Sequence, residues 1–179
     1  MQDWIADKDK SVMAFEKIKN TVLPKLISGE IISIEKEESG SVLAMMDIHS
    51  GIDLVRKNEI GLQGIAWRAQ WEKAYNTFTI RAERTTGTKT ELEKRLESIE
   101  KEYFYPAYTI QAYFDNDRDF NWLSVGIIRT RDLYETFIER PDLFSERTVK
   151  SDGNKFYVVN WNNLPTMKTL HYHDHRAMA

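Results

Sequence analysis

The chain has 179 residues, of which 41% are hydrophobic and 30% charged, the balance of one globular domain with its own core. It has no cysteine, which excludes disulfide scaffolds, thiolate zinc sites and cysteine nucleophiles. A net charge of −3 excludes binding to nucleic acid through a general positive field, so such a role needs a local basic surface.

Val12, Phe15, Ile18 and Val22 recur at helical spacing from about Asp9, with Pro24 and Gly29 ending the run. Residues 30–35 form a β-branched run that predicts a strand, and 36–41 a charged turn. Ser41 to Met46 is apolar and predicts a second strand, and Ile52 to Arg56 resumes the extended pattern. Asn58 to Gly64 carries two glycines and reads as a hairpin turn. Ile65, Trp67, Ala69 and Trp71 then face one way, and Ala66, Arg68 and Gln70 the other. Thr77 to Glu83 is a strand with Phe78 and Ile80 inward. Thr90 and Glu93 form a capping box, opening a helix with Leu92, Leu96, Ile99 and Tyr103 as its buried stripe. Strands follow at Tyr108 to Phe114 and Trp122 to Arg129, the latter apolar enough for burial on both faces. Asp132 to Arg140 is a short helix and Phe156 to Trp161 a last strand. From Thr166 to the end the composition is that of a polar tail. The fold class expected is α/β, a central mixed β-sheet flanked by helices in one domain over 1–165, with a tail over 166–179. Early strands joined by short turns are expected to be antiparallel, and later ones joined through the Thr90 helix parallel.

The chemistry concentrates between Asp47 and Gln70. Asp53 follows a Ser-Gly turn at the start of a strand, and adjacent strands can bring it to the face carrying Ala66, Arg68 and Gln70. A carboxylate there suits Mg²⁺ or Mn²⁺, and a nearby cation stabilises a pentacoordinate phosphate. The competing reading is that Asp53 caps a turn and Arg68 makes a surface ion pair.

This arrangement resembles the PD-(D/E)XK nuclease superfamily, which has the restriction-endonuclease-like fold. Glu16 lies on the first helix, Gly51-Ile52-Asp53 matches the Asp motif that opens the second strand, and Ile65 to Gln70 stands as the third strand. The resemblance spans residues 10–130 in element order. Aligning Arg68 with the family lysine puts Ala66 where the family has an acidic residue or Gln. Arg keeps the charge but not the basicity of lysine, and Ala cannot bind a metal. The resemblance implies a nuclease dependent on Mg²⁺ or Mn²⁺, or a nuclease-derived nucleic-acid-binding protein. In the active version Asp53 and Asp47 hold the metal, Glu16, Asp53 and Arg68 act in catalysis, and Arg81, Arg84 and Lys89 position the backbone.

The segment from Arg81 to Thr90 runs strand, Gly-containing loop and helix N-terminus, so phosphate contact competes there with plain helix capping. His171, His173 and His175 alternate beside Asp174, as ligands or as a frayed tail, and His49 lies near the Asp47–Asp53 loop. No apolar run reaches the ~18 residues of a membrane span, and the N-terminus lacks a signal peptide's apolar core. A cytoplasmic protein without membrane contact is expected. The alternative function is a non-enzymatic phage or mobile-element accessory protein, which would use Trp67, Trp71 and Tyr75 against another protein or a second copy of the chain.

Overall fold

A computed structural model of the protein describes residues 2–34, 41–42, 45–46, 50–59, 61–83, 89–149 and 153–171. Helix α1 (Gln2–Ile18) starts earlier than the apolar spacing signals. A short 3₁₀ turn (Leu23–Lys25) accommodates Pro24 in its first turn, where a missing N–H costs nothing. Strands β1 (Glu30–Ser33), β2 (Leu54–Asn58) and β3 (Gly61–Gln70) form an antiparallel meander. The turn between β2 and β3 is tighter than the sequence suggests. Asn58 pairs with Gly61, whose φ of +138° favours glycine, and Gly64 lies inside the strand. Of the strand expected at Ser41 to Met46, the described residues Val42, Met45 and Met46 are helical, with the Met45 amide donating to the Ser41 carbonyl.

Strand β4 (Thr77–Glu83) leaves this sheet, and helix α2 (Glu91–Glu100) returns the chain to β5 (Tyr108–Phe114), which pairs parallel with β3. Strand β6 (Trp122–Arg129) runs antiparallel to β5, and helix α3 (Thr130–Glu139) follows it. Strands β7 (Phe144–Thr148) and β8 (Lys155–Asn160) join β4 in a second sheet ordered β4-β8-β7. Strand β9 (Lys168–His171) then closes the larger mixed sheet, ordered β1-β2-β3-β5-β6-β9. It falls within the segment whose composition reads as a tail, because pairing to β6 supplies the order that its own polar residues do not.

The mixed sheet separates two cores. On one face Ala14, Phe15 and Ile18 of α1 pack against Leu54, Ile65, Trp67 and Ile110. On the other, Phe78, Ile80 and Val159 of the small sheet meet Tyr113, Ile128, Leu133 and Tyr134, with Leu92, Leu96 and Ile99 of α2 against them. The alternation read in β3 and β4 is therefore the division between the two layers. Tyr103 lies past the end of α2 and is 58% exposed, so it does not extend that helix's buried stripe. No helix among the described residues is long and apolar enough to cross a membrane.

Candidate nucleic-acid interface

The hairpin register decides which side chains meet. Leu54 pairs with Ile65, so the register carried one residue further sets Asp53 beside Ala66. Leu54, Ile65 and Trp67 face α1; Asp53, Ala66 and Arg68 therefore share the opposite face. The Trp67 amide donates to Asp53 Oδ2 at 2.6 Å. Arg68 reaches away from the hairpin: its guanidinium donates to the Thr79 carbonyl at 2.9 Å, to Thr79 Oγ1 at 2.6 Å and to Glu91 Oε2 at 2.7 Å.

Glu91 is the acidic partner that the sequence did not single out. The capping box places it, since Thr90 Oγ1 accepts from the Glu93 amide at 3.2 Å while Glu93 Oε2 accepts from the Thr90 amide at 2.7 Å. Glu91 is then the first residue of α2, where the helix dipole favours a carboxylate. Burial raises its pKa, but the charges of Arg68 and Arg95 outweigh this and hold it below the ordinary value of 4.5. Tyr134 donates to Glu91 Oε1 at 3.4 Å, and burial followed by the Glu91 charge pushes the phenol's pKa well above 10.0, so it remains a donor. Arg95, 4% exposed, hydrogen-bonds the Ser50 and Gly51 carbonyls, tying α2 to the loop that delivers Asp53.

The other residues expected at the site are dispersed. Glu16 is exposed on α1 and pairs with Lys19, because Phe15 and Ile18 take the buried side of that helix. It therefore belongs to the layer opposite Arg68. Asp47, His49, Arg84, His173, Asp174 and His175 lie outside the described residues. Lys89 is exposed and pairs with Glu97 at 2.5 Å; the hydrogen bond from Lys101, with that from Lys89 after it, draws that carboxyl down to about 2. Trp67 is buried and Trp71 packs 5.5 Å from Phe114, so of the three aromatic residues expected at a surface Tyr75, 58% exposed, is the one that stands there.

Described residues do not fit a divalent-metal centre of the expected kind. No three His, Asp or Glu side chains among them cluster to hold an ion. Ala66 offers no ligand beside Asp53, one Asp53 oxygen accepts a backbone amide, and Glu91 is committed to Arg68.

What the fold does assemble is a row of cations around one ring. Across the small sheet Arg147, Phe156 and Arg81 are direct cross-strand neighbours on β7, β8 and β4. They share the face opposite Phe78, Ile80 and Val159; Thr79, on the same face, meets Arg68 and Gln111 of the mixed sheet, and Arg81 Nε is buried there, so the row opens to solvent toward Arg147. Phe156 is half-buried; the Arg81 guanidinium lies 5.4 Å and the Arg68 guanidinium 5.9 Å from its centroid. Arg147 is exposed at the far end of the row. Arg68 is paired with Glu91, whose Oε2 also accepts from the Arg81 amide at 3.4 Å, and Lys155 is paired with Glu83 at 2.7 Å. Comparison with protein-family models, curated proteins and solved structures found no match.

Proposed function

We propose that the protein is a nuclease-derived nucleic-acid-binding protein that holds a single strand on the face of the small sheet that carries Arg147 and Phe156, without cutting it. The Arg147–Phe156–Arg81 row carries this reading. Alternating guanidinia and an aromatic ring offer phosphate contacts and a stacking surface at once, which suits a strand whose bases are splayed out. It also reconciles the interaction with a net charge of −3, since the positive field is local.

The antiparallel meander, the parallel return to β5 and the placement of Asp53 and Arg68 on one face support descent from a restriction-endonuclease-like scaffold. Ala66 and the Arg68–Glu91 pair support binding over metal-dependent cleavage. The test is fluorescence anisotropy on labelled single- and double-stranded oligonucleotides. Phe156→Ala is expected to weaken single-strand binding about tenfold, the scale of one stacked base. Arg147→Ala is expected to lower the salt slope by about 1. Mn²⁺-dependent cleavage of plasmid DNA, lost in Asp53→Ala, would overturn the non-cleaving part. An unchanged affinity and slope in both variants would overturn the binding part.

A further inference from the structure

On the face of the mixed sheet that carries α1, beyond the C-terminal end of that helix, lies an open cavity of about 520 Å³. This falls in the size range of small-molecule sites. Its wall is mixed, and the apolar part is built from Leu26 and Ile27 after the 3₁₀ turn, Ile127 of β6 and the Tyr108 ring. Tyr108 and Arg129 are direct cross-strand neighbours, as are Ile127 and Lys168, so both cations stand on the face of that wall. Arg129 and Lys168 are exposed, and neither side chain has a hydrogen bond or ion pair among the described residues.

The remaining charges at the cavity are Arg56 and Asp132. Arg56 is 8% exposed and consumed by structure: it donates to the Ser28 carbonyl, to Ser28 Oγ at 3.1 Å and to Gln63 Oε1 at 2.8 Å. It also braces the Tyr108 ring, 5.8 Å from its centroid. Asp132 sits in the first turn of α3, where the helix dipole stabilises it. Its carboxylate can accept only from an N–H or O–H donor.

A ligand that satisfies this set needs an anionic group for Arg129 and Lys168, a flat apolar body for the wall, and a donor for Asp132. A phosphate ester alone lacks the body, and a hydrocarbon lacks the charge. We infer that this cavity binds a nucleoside monophosphate, with its phosphate between Arg129 and Lys168, its base against Tyr108 and Ile127, and a ribose hydroxyl or base amino group on Asp132. The same chemistry arises as a free nucleotide or as the 5′-phosphorylated end of a strand. This inference stands apart from the small-sheet row, because the cavity shares no residue with it.

The test is isothermal titration calorimetry of the full chain with adenosine monophosphate, adenosine, inorganic phosphate and a 5′-phosphorylated tetranucleotide. Adenosine monophosphate is expected to bind at least about tenfold tighter than either adenosine or phosphate, since each lacks one half of the recognition. Arg129→Ala with Lys168→Ala is expected to remove that preference. Both residues are exposed, so circular dichroism and melting temperature should match the parent chain. Arg147→Ala should leave the nucleotide affinity unchanged. Tetranucleotide affinity that falls in Arg129→Ala with Lys168→Ala supports the pocket as a strand-end site, whereas affinity that falls only in Arg147→Ala assigns it to the small-sheet row and excludes the strand-end site. No binding of any phosphorylated ligand, equal binding of inorganic phosphate and nucleotide, or retention of nucleotide affinity in the double variant would each overturn the inference.

Discussion

Gly126→Ala is expected to destabilise the protein by about 3 kcal/mol and lower its melting temperature by roughly 9 °C. Gly126 lies in the middle of β6, paired with Gln111 on one side and Thr169 on the other. An added Cβ would stand 2.7 Å from two ring carbons of Trp161 and 2.9 Å from Met167 Cε. The methionine can swing aside, but the indole cannot. Trp161 is 3% exposed and wedged against Phe78 and Tyr113, with ring centroids 5.8 Å and 5.7 Å away. This is where the segment after the small sheet lies flat on the large one, and the missing side chain makes the contact possible. Of the two clashing indole atoms, Cε2 is a ring-fusion carbon and Cζ2 lies beyond it, outside the smaller ring of a phenylalanine. Adding Trp161→Phe to Gly126→Ala should therefore recover part of the loss, although Trp161→Phe alone should cost stability through the cavity it leaves. Thermal melts of the three variants check this. A Gly126→Ala protein as stable as the parent would show that β6 does not press on Trp161.

Arg68→Met should cost about 2 kcal/mol at neutral pH. The Arg68 and Glu91 side chains are 27% and 21% exposed, so the penalty for leaving one buried partner is reduced by solvent but not removed. The sign with pH follows from Glu91. Its folded pKa lies below the ordinary value, so its contribution is complete above about pH 4.5 and is lost as pH falls through the lowered folded value. Arg68 is the larger of the two charges that set this depression. The stability gap between parent and Arg68→Met is thus expected to shrink on going from pH 7 to pH 3. Glu91→Gln should show a similarly flattened acid limb, and the double variant should lose less than the two single losses together. Urea unfolding at the two pH values measures this. A gap that stays constant would mean that Arg68 stabilises through its bonds to Thr79 alone.

Much of the fold was legible because local signals carry it. The capping box at Thr90 and Glu93 fixed the start of α2, and the alternation in β3 and β4 marked which residues face each core. That Asp53 could share a face with Arg68 was legible from the alternation of residues 65–71, whereas the register itself was not, because the turn read as residues 58–64 closes between Asn58 and Gly61. Elements defined only by tertiary pairing were not. Strands β7 and β9 are polar and short, and their partners lie far away or across a loop. Arg147 and Phe156 become neighbours only through the β7–β8 register, and Arg81 joins them only because β4 leaves the first sheet. Glu91 was hidden in plain view: the signal was an acid at the first helical position, which the dipole explains without a partner.

The face of the small sheet that carries Arg147, Phe156 and Arg81 is the proposed seat of the nucleic acid. Amide chemical-shift mapping on titration with a single-stranded oligonucleotide tests it most directly. The largest shifts are expected on β4, β8 and β7, centred on Arg81, Phe156 and Arg147. Saturable binding whose shifts spare these strands and gather elsewhere, or no binding at low salt, would contradict it.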